Sequence, residues 1–261
     1  MMRNVLAWVF PVLLATSGSA ISQPVSLSKQ PPGANPSLQS VSEIEQTARL
    51  LAILLDSGRY VINENQELVD DPSKENKGFT PKVFEQQLME MFRSRSGIDL
   101  QELNSARLSR NAKEMLATLV AVSKKVVAEA QPEINRKGVG FKGFIPAVFG
   151  SRVAGRFREA TGVRLKQTAL SPRNPSNAPD DFEKSVLQEF ADPSYPREKL
   201  ISQVTAKSKS LRLMFPLYTT RQCLTCHGEP KGELDKTGYP REGLRLGQNA
   251  GAISVVIPIQ R

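Results

Sequence analysis

"KGFIPAVFGSRVAGRFREATGVRL", residues 142–165, is the stretch on which the fold turns, because it has a twin. "KGFTPKVFEQQLMEMFRSRSGIDL", residues 77–100, aligns with it without a gap at an offset of 65 residues. Lys77/Lys142, Gly78/Gly143, Phe79/Phe144, Pro81/Pro146, Phe84/Phe149, Phe92/Phe157, Gly97/Gly162 and Leu100/Leu165 all match. The same register continues upstream through Gln66/Gln131, Val61/Val126, Leu54/Leu119 and Leu51/Leu116. Identities this dense mark an internal duplication over about 48–100 and 113–165. Each unit reads as a long helix, a Lys-Gly-Phe-x-Pro loop and a shorter helix stopped by Gly97 or Gly162. Pro81 and Pro146 suit the first turn of the shorter helix, where a missing N–H does no harm. The matched phenylalanines are candidate core.

Upstream, "SEIEQTARLLAILLDSGRYVINENQELV" spaces apolar residues as an amphipathic helix and opens with a Ser-x-x-Glu signal, Ser42 to Glu45. Downstream the character changes. "VRLKQT" (163–168) alternates as a half-buried strand does. "SPRNPSNAPDDFEKSVLQEF" (171–190) is a turn-rich loop running into a short helix, with Asn177 or Asp180 as cap. "LISQVT" (200–205), "LRLMFPLY" (211–218) and "GAISVVIPI" (251–259) read as strands. Only the second copy leads into this region. The expectation is therefore an α+β fold: a helical unit over 41–105, then a domain over 106–261 with long helices on a small antiparallel sheet.

The N-terminal "MMRNVLAWVFPVLLATSGSAISQ" has a basic start at Arg3, an apolar run and then small residues. That is the layout of a secretory signal peptide over 1–22, cut after Ala20 or Ser22. Residues 23–40 form a Pro/Ser-rich leader without periodicity. No other run is apolar and long enough to cross a bilayer, so the mature chain is expected in the periplasm without a transmembrane segment. With 39% hydrophobic and 23% charged residues, the chain can bury a core. The net charge of +9 is scattered rather than gathered into a nucleic-acid tract, so acidic partner proteins, an anionic membrane or an anionic cofactor are better expected partners.

All the cysteine and histidine of the chain lies in "RQCLTCHGEPKG", residues 221–232. Cys223, Cys226 and His227 have the Cys-x-x-Cys-His spacing of c-type haem attachment. Two thiols three positions apart reach the two vinyl groups on one porphyrin edge, and the adjacent imidazole comes under the iron as axial ligand. A structural zinc site needs four Cys/His ligands, and this chain owns three. A thioredoxin-like pair belongs at a helix start in a βαβ context, whereas this one follows a strand and runs into a Gly/Pro-rich loop. With the only histidine used, Met214 is the nearest methionine to serve as second axial ligand. In "LRLMFPL", Leu211, Leu213, Phe215 and Leu217 share one strand face, leaving Arg212 and Met214 on the other. A haem on that face would bring Met214 toward the iron and Arg212 toward a propionate; plain packing of Met214, a five-coordinate iron open to a small gas, or a Lys or Tyr ligand are the other readings.

The order of "GFKGFIPAVFGSRVAGRF", "TGVRLKQT", "RNPSNAPDDFE", "LMFPLYTTRQCLTCHG" and "GAISVVIPI" resembles the PAS-like, single-haem c-type sensor domain family over about 110–261, extended to about 45 by "GRYVINENQELVDDPSKENKGFTPKVF". The resemblance implies a PAS-like sheet, one covalent haem c on Cys223 and Cys226 with His227 as axial ligand, and a redox- or ligand-sensing role. A family member that fits this plan uses a cysteine as second axial ligand, for which this chain has none to spare. A sensor module working with a separate signalling protein is the first expectation. A periplasmic electron carrier with a redox partner protein is the second. A peroxidase is not expected, since no distal histidine exists to handle peroxide protons. The long helices also offer a surface for homodimerisation.

Overall fold

In the computed structural model, residues 40–197, 199–205 and 209–259 are described; the expected signal peptide and most of the expected leader lie outside them. Helix α1 spans Val41–Glu64 and is followed, across Asn65, by the short α2, Gln66–Asp70. Ser40 and Glu43 form a reciprocal capping box at the start of α1, two residues earlier than the Ser42–Glu45 signal suggested. The sequence holds two overlapping Ser-x-x-Glu pairs, and the earlier one starts the helix soon enough for Ile44 to reach the core. Helix α3, Pro81–Ser96, is capped by Thr80 and ends at left-handed Gly97. The second repeat follows the same plan: α4, Arg110–Glu129; α5, Gln131–Ile134; and α6, Pro146–Thr161, ending at left-handed Gly162.

The duplication is visible in three dimensions. Phe84 and Phe149 stand against each other with centroids 5.3 Å apart, and each takes its own repeat's Phe79 or Phe144 edge-on at 6.3 and 6.4 Å. All the matched phenylalanines are buried, as expected of core. The Lys-Gly-Phe loops are exchanged. Lys77 N donates to Asn135 Oδ1 at 3.0 Å, and Lys142 N donates to Asp70 Oδ1 at 3.1 Å, again positions 65 apart. Both lysine side chains are buried, their ammonium groups donating to loop carbonyls, Asp71 and Lys74 for one and Val139 for the other. Burial, then the neighbouring charge of Lys77, push the Lys142 amine below its ordinary value.

After Gly162 the chain forms β1, Arg164–Thr168; a 3-10 turn, Pro175–Asn177; α7, Asp181–Phe190, capped by Asp180; β2, Ile201–Thr205; β3, Ser210–Tyr218; a single turn α8, Leu224–His227; and β4, Asn249–Pro258. The strands make one antiparallel sheet in the order β1-β4-β3-β2, with the C-terminal strand in an interior position. The α+β, PAS-like arrangement of N-terminal helices preceding an antiparallel sheet is thus what the chain adopts. It is α1, from the first repeat, that lies on β3 and β4, while α6 packs on β1. One core runs through both repeats and the inner sheet face, from Leu51 and Leu54 through Leu116 to Leu211, Leu213 and Val255, so the unit expected over 41–105 shares its core with 106–261. Helix α7 covers the opposite sheet face over a smaller apolar cluster.

Candidate functional site

The chain leaves β3 at Tyr218 and turns at once into the Cys-x-x-Cys-His segment. Cys223 precedes the single turn of α8, so Cys223, Cys226 and His227 lie within one helical turn and project to one side. Both thiols are free of any disulfide and half-buried. Thr220 Oγ1 lies 3.2 Å from Cys223 Sγ. The turn stands at the wall of a cleft of about 1260 Å³, which also takes in α1, the start of α6, the 169–174 loop and the 236–244 loop. That exceeds the roughly 300–1,000 Å³ typical of small-molecule pockets.

His227 is braced. Its Nδ1 lies 2.8 Å from Glu242 Oε2. Burial pushes the Glu242 carboxyl up, but hydrogen bonds from Arg173 and then His227 outweigh it and hold the group below its ordinary value. An ionised carboxylate only accepts, so Nδ1 carries a hydrogen, and in the neutral imidazole the lone pair is left on Nε2. This is the arrangement by which proteins orient a metal-binding imidazole and raise its basicity. The His227 carbonyl is fixed as well, accepting from Leu244 N at 2.8 Å.

Across the cleft, α1 contributes Asp56, Arg59, Tyr60 and Asn63. The buried Asp56 carboxylate accepts from Arg59 Nη1 and Arg95 Nη2, each at 2.6 Å. Arg95 also lies 4.9 Å from the centre of the Tyr60 ring. Burial, then Asp56, push the Tyr60 phenol up while Arg95 pulls the other way. These residues escaped the sequence reading although the repeat itself carried the signal. At the 65-residue offset, Asp56, Arg59, Tyr60 and Asn63 correspond to Ala121, Lys124, Lys125 and Ala128. At these four positions of α1 the repeats part, while the core phenylalanines agree.

Met214 and Arg212 are placed elsewhere. The strand faces divide as expected, with Leu211 and Leu213 in the main core and Met214 on the other side. That other side, however, is covered by α7. Met214 is fully buried with Val186, Leu187 and Phe190, and Arg212 pairs with Asp180 at 2.6 Å and lies over the Phe182 ring. Neither lines the cleft that holds His227, so the geometry gives Met214 a packing role and Arg212 a role in anchoring α7.

The residues present fit a haem. Two unpaired thiols and an imidazole with a committed Nδ1 share one turn. Polar atoms at the cleft wall also lie buried without partners: Arg59 Nε, both amide atoms of Gln66 and the Tyr218 hydroxyl. Gln131, the counterpart of Gln66, donates to the Phe79 and Val127 carbonyls, each at 3.1 Å. The unpartnered atoms have almost no surface open to the cleft, so the fit rests on the two thiols and the imidazole. Among the described residues no cluster of three or more His, Cys, Asp or Glu side chains suits a bare metal ion.

Fold and site together define an α+β protein that carries a Cys-x-x-Cys-His turn on a cleft between a four-stranded sheet and a duplicated helical layer. The chain belongs to the Tll0287-like family, described as Tll0287, whose family model matches residues 37–258. Among solved structures it is similar to the crystal structure of the cyanobacterial heme-protein Tll0287, at 19% identity over 58% of this chain and 97% of that one, with a TM-score of 0.39. No curated protein matches.

Proposed function

We propose that this chain is an exported monohaem c-type protein that acts as a redox- or small-ligand-sensing module rather than an enzyme. Cys223 and Cys226 would hold the haem through thioethers, and His227 Nε2 would ligate its iron. The observation that carries the reading is the His227–Glu242 pair, which fixes the imidazole tautomer with Nε2 uncommitted. When bound, the haem would supply a one-electron iron couple. The chain's own residues hold and orient it: α8 presents the two sulfurs, Glu242 keeps the proton on Nδ1, and the α1 side chains place a charged and phenolic wall across the cleft. No described helix is long and apolar enough to span a membrane. Export to the periplasm is supported by the leader pattern of residues 1–22 and by the chemistry, since c-type attachment occurs on the far side of the membrane.

The test is to express the full chain with haem-attachment machinery. A haem retained through denaturation, and lost in Cys223→Ala/Cys226→Ala, is the expected result; a chain that leaves the cell without covalent haem overturns the reading. Carbon monoxide binding to the reduced protein would speak for ligand sensing. An unreactive, low-spin, reversible couple would favour an electron carrier working with a redox partner protein.

A further inference from the structure

We propose that Arg173 is a positioning residue for His227: by claiming both oxygens of Glu242 it limits how strongly that carboxylate pulls on the Nδ1 proton, and so sets the reduction potential of the iron. The inference rests on the haem reading above.

Arg173 belongs to the loop after β1, 53 positions before Cys226 in sequence, yet its guanidinium ties three segments together. Its Nε and Nη2 donate to Glu242 Oε1 and Oε2 at 2.6 and 2.9 Å. Nη2 also donates to the Cys226 carbonyl at 2.8 Å, and Nη1 to Asp235 Oδ2 at 2.6 Å. Asp235 is itself immobilised. Its side chain is fully buried, and Oδ1 accepts from Thr237 N, Thr237 Oγ1 and Tyr239 N at 2.7, 2.6 and 3.2 Å. The Asp235 carboxyl is driven up by burial but held well below its ordinary range by Thr237 and then Arg173. Arg173 is therefore held at a fixed point, and Glu242 is held against it in the two-bond geometry that only a planar guanidinium provides.

Glu242 Oε2 is shared, accepting from both His227 Nδ1 and Arg173 Nη2. Charge drawn toward the guanidinium is not available to the imidazole. With Arg173 removed, the carboxylate pulls harder on Nδ1–H, Nε2 becomes a stronger donor, and the ferric state is favoured over the ferrous. With the Glu242 charge removed, Nε2 donates less and the balance moves the other way. The two substitutions thus shift the potential in opposite directions.

The experiment is a redox titration of the full haem-loaded chain, with mediators supplying the electron that takes ferric to ferrous iron. Arg173→Gln is expected to lower the potential and Glu242→Gln to raise it, each by about tenfold in the one-electron equilibrium, about 59 mV. Arg173→Lys keeps the charge without the two-point grip, and is expected to shift in the same direction as Arg173→Gln by less. It also serves should Arg173→Gln fail to fold. Lys236→Gln removes another positive charge from the cleft wall, one that pairs with Asp70 and does not touch Glu242; its shift is expected to be the smallest. Arg173 and Glu242 variants shifting in the same direction, or Lys236→Gln matching Arg173→Gln, would overturn the proposal while the haem reading stands. A wild-type chain without covalent haem would overturn the haem reading and the proposal with it.

Discussion

Repeat one and repeat two share a plan, a register and a phenylalanine core, yet α1 lies on the sheet and walls the cleft while α4 packs on α1, α3 and α6. Each position in one repeat is thus a control for its counterpart in the other. Where both copies keep a residue, as at Phe84/Phe149 or Lys77/Lys142, the residue is buried and builds the scaffold. Where they part, as at Tyr60/Lys125, the first copy faces the cleft and the second does not. The matched phenylalanines and lysines report on packing, and the mismatches at Asp56, Arg59, Tyr60 and Asn63 point to the site, where matched Gln66 also stands.

The strongest way to break this comparison is at its axis. Phe84→Ala and Phe149→Ala each open a cavity beside the other ring, and each is expected to cost about 3–5 kcal/mol, with equal losses if the repeats are equivalent there. Denaturant unfolding of both variants measures this; a difference of more than about 2 kcal/mol would show that the two copies carry unequal shares of the core. A sharper test lies one layer out, where Gly58 corresponds to Ser123. A Cβ at Gly58 would stand 2.7 Å from the Phe149 ring, so Gly58→Ser is expected to overpack by about 1–3 kcal/mol. Ser123→Gly removes a helix-favouring residue and is expected to cost only about 0.5–1 kcal/mol, readable as a smaller fall in melting temperature.

The smallest effect concerns acid. Asp71 accepts from the Ser73 hydroxyl and amide, which hold its carboxyl down at about 2, whereas its counterpart in repeat two is Arg136. A carboxyl depressed in the folded state lends stability above its unfolded value near 3.8, and that contribution is lost as pH falls toward about 2. Between pH 4 and pH 2 the Ser73 amide is expected to lose exchange protection, while the corresponding turn of repeat two, which has no titrating carboxylate at this position, keeps its own. Equal loss in both turns would remove Asp71 as the cause.

Much of the fold was legible because its signals are local. The offset identities, the glycine stops at 97 and 162, the alternation of β3 and the apolar run of β4 lie within short windows. The Cys223–His227 turn was legible for the same reason. The reading failed where a distant element decides the outcome. Alternation in β3 separated Met214 from Leu213 correctly, but it could not show that α7 occupies the Met214 side, since a strand face under a helix and one under a cofactor need the same apolar residues. Glu242, Arg173 and Asp235 sit in turn-rich loops, where charged residues ordinarily face water; only the folding of three loops onto one another makes them partners of His227.

The exchanged loop bonds carry a consequence for how the chain comes into being. Lys77 N waits for Asn135, 58 positions later, and Asp70 waits for Lys142, 72 positions later. A chain delivered N-terminus first, from a ribosome or through a translocation channel, exposes the whole first repeat before its counterpart exists. Repeat one makes the Lys77 side-chain bonds within its own loop, but the backbone bond from Lys77 N needs repeat two, and that long-range closure favours a slow, late consolidation. The duplication thus imposes a schedule: both halves must be out before either is finished, and the cysteine turn emerges after them but ahead of β4, the interior strand of the sheet.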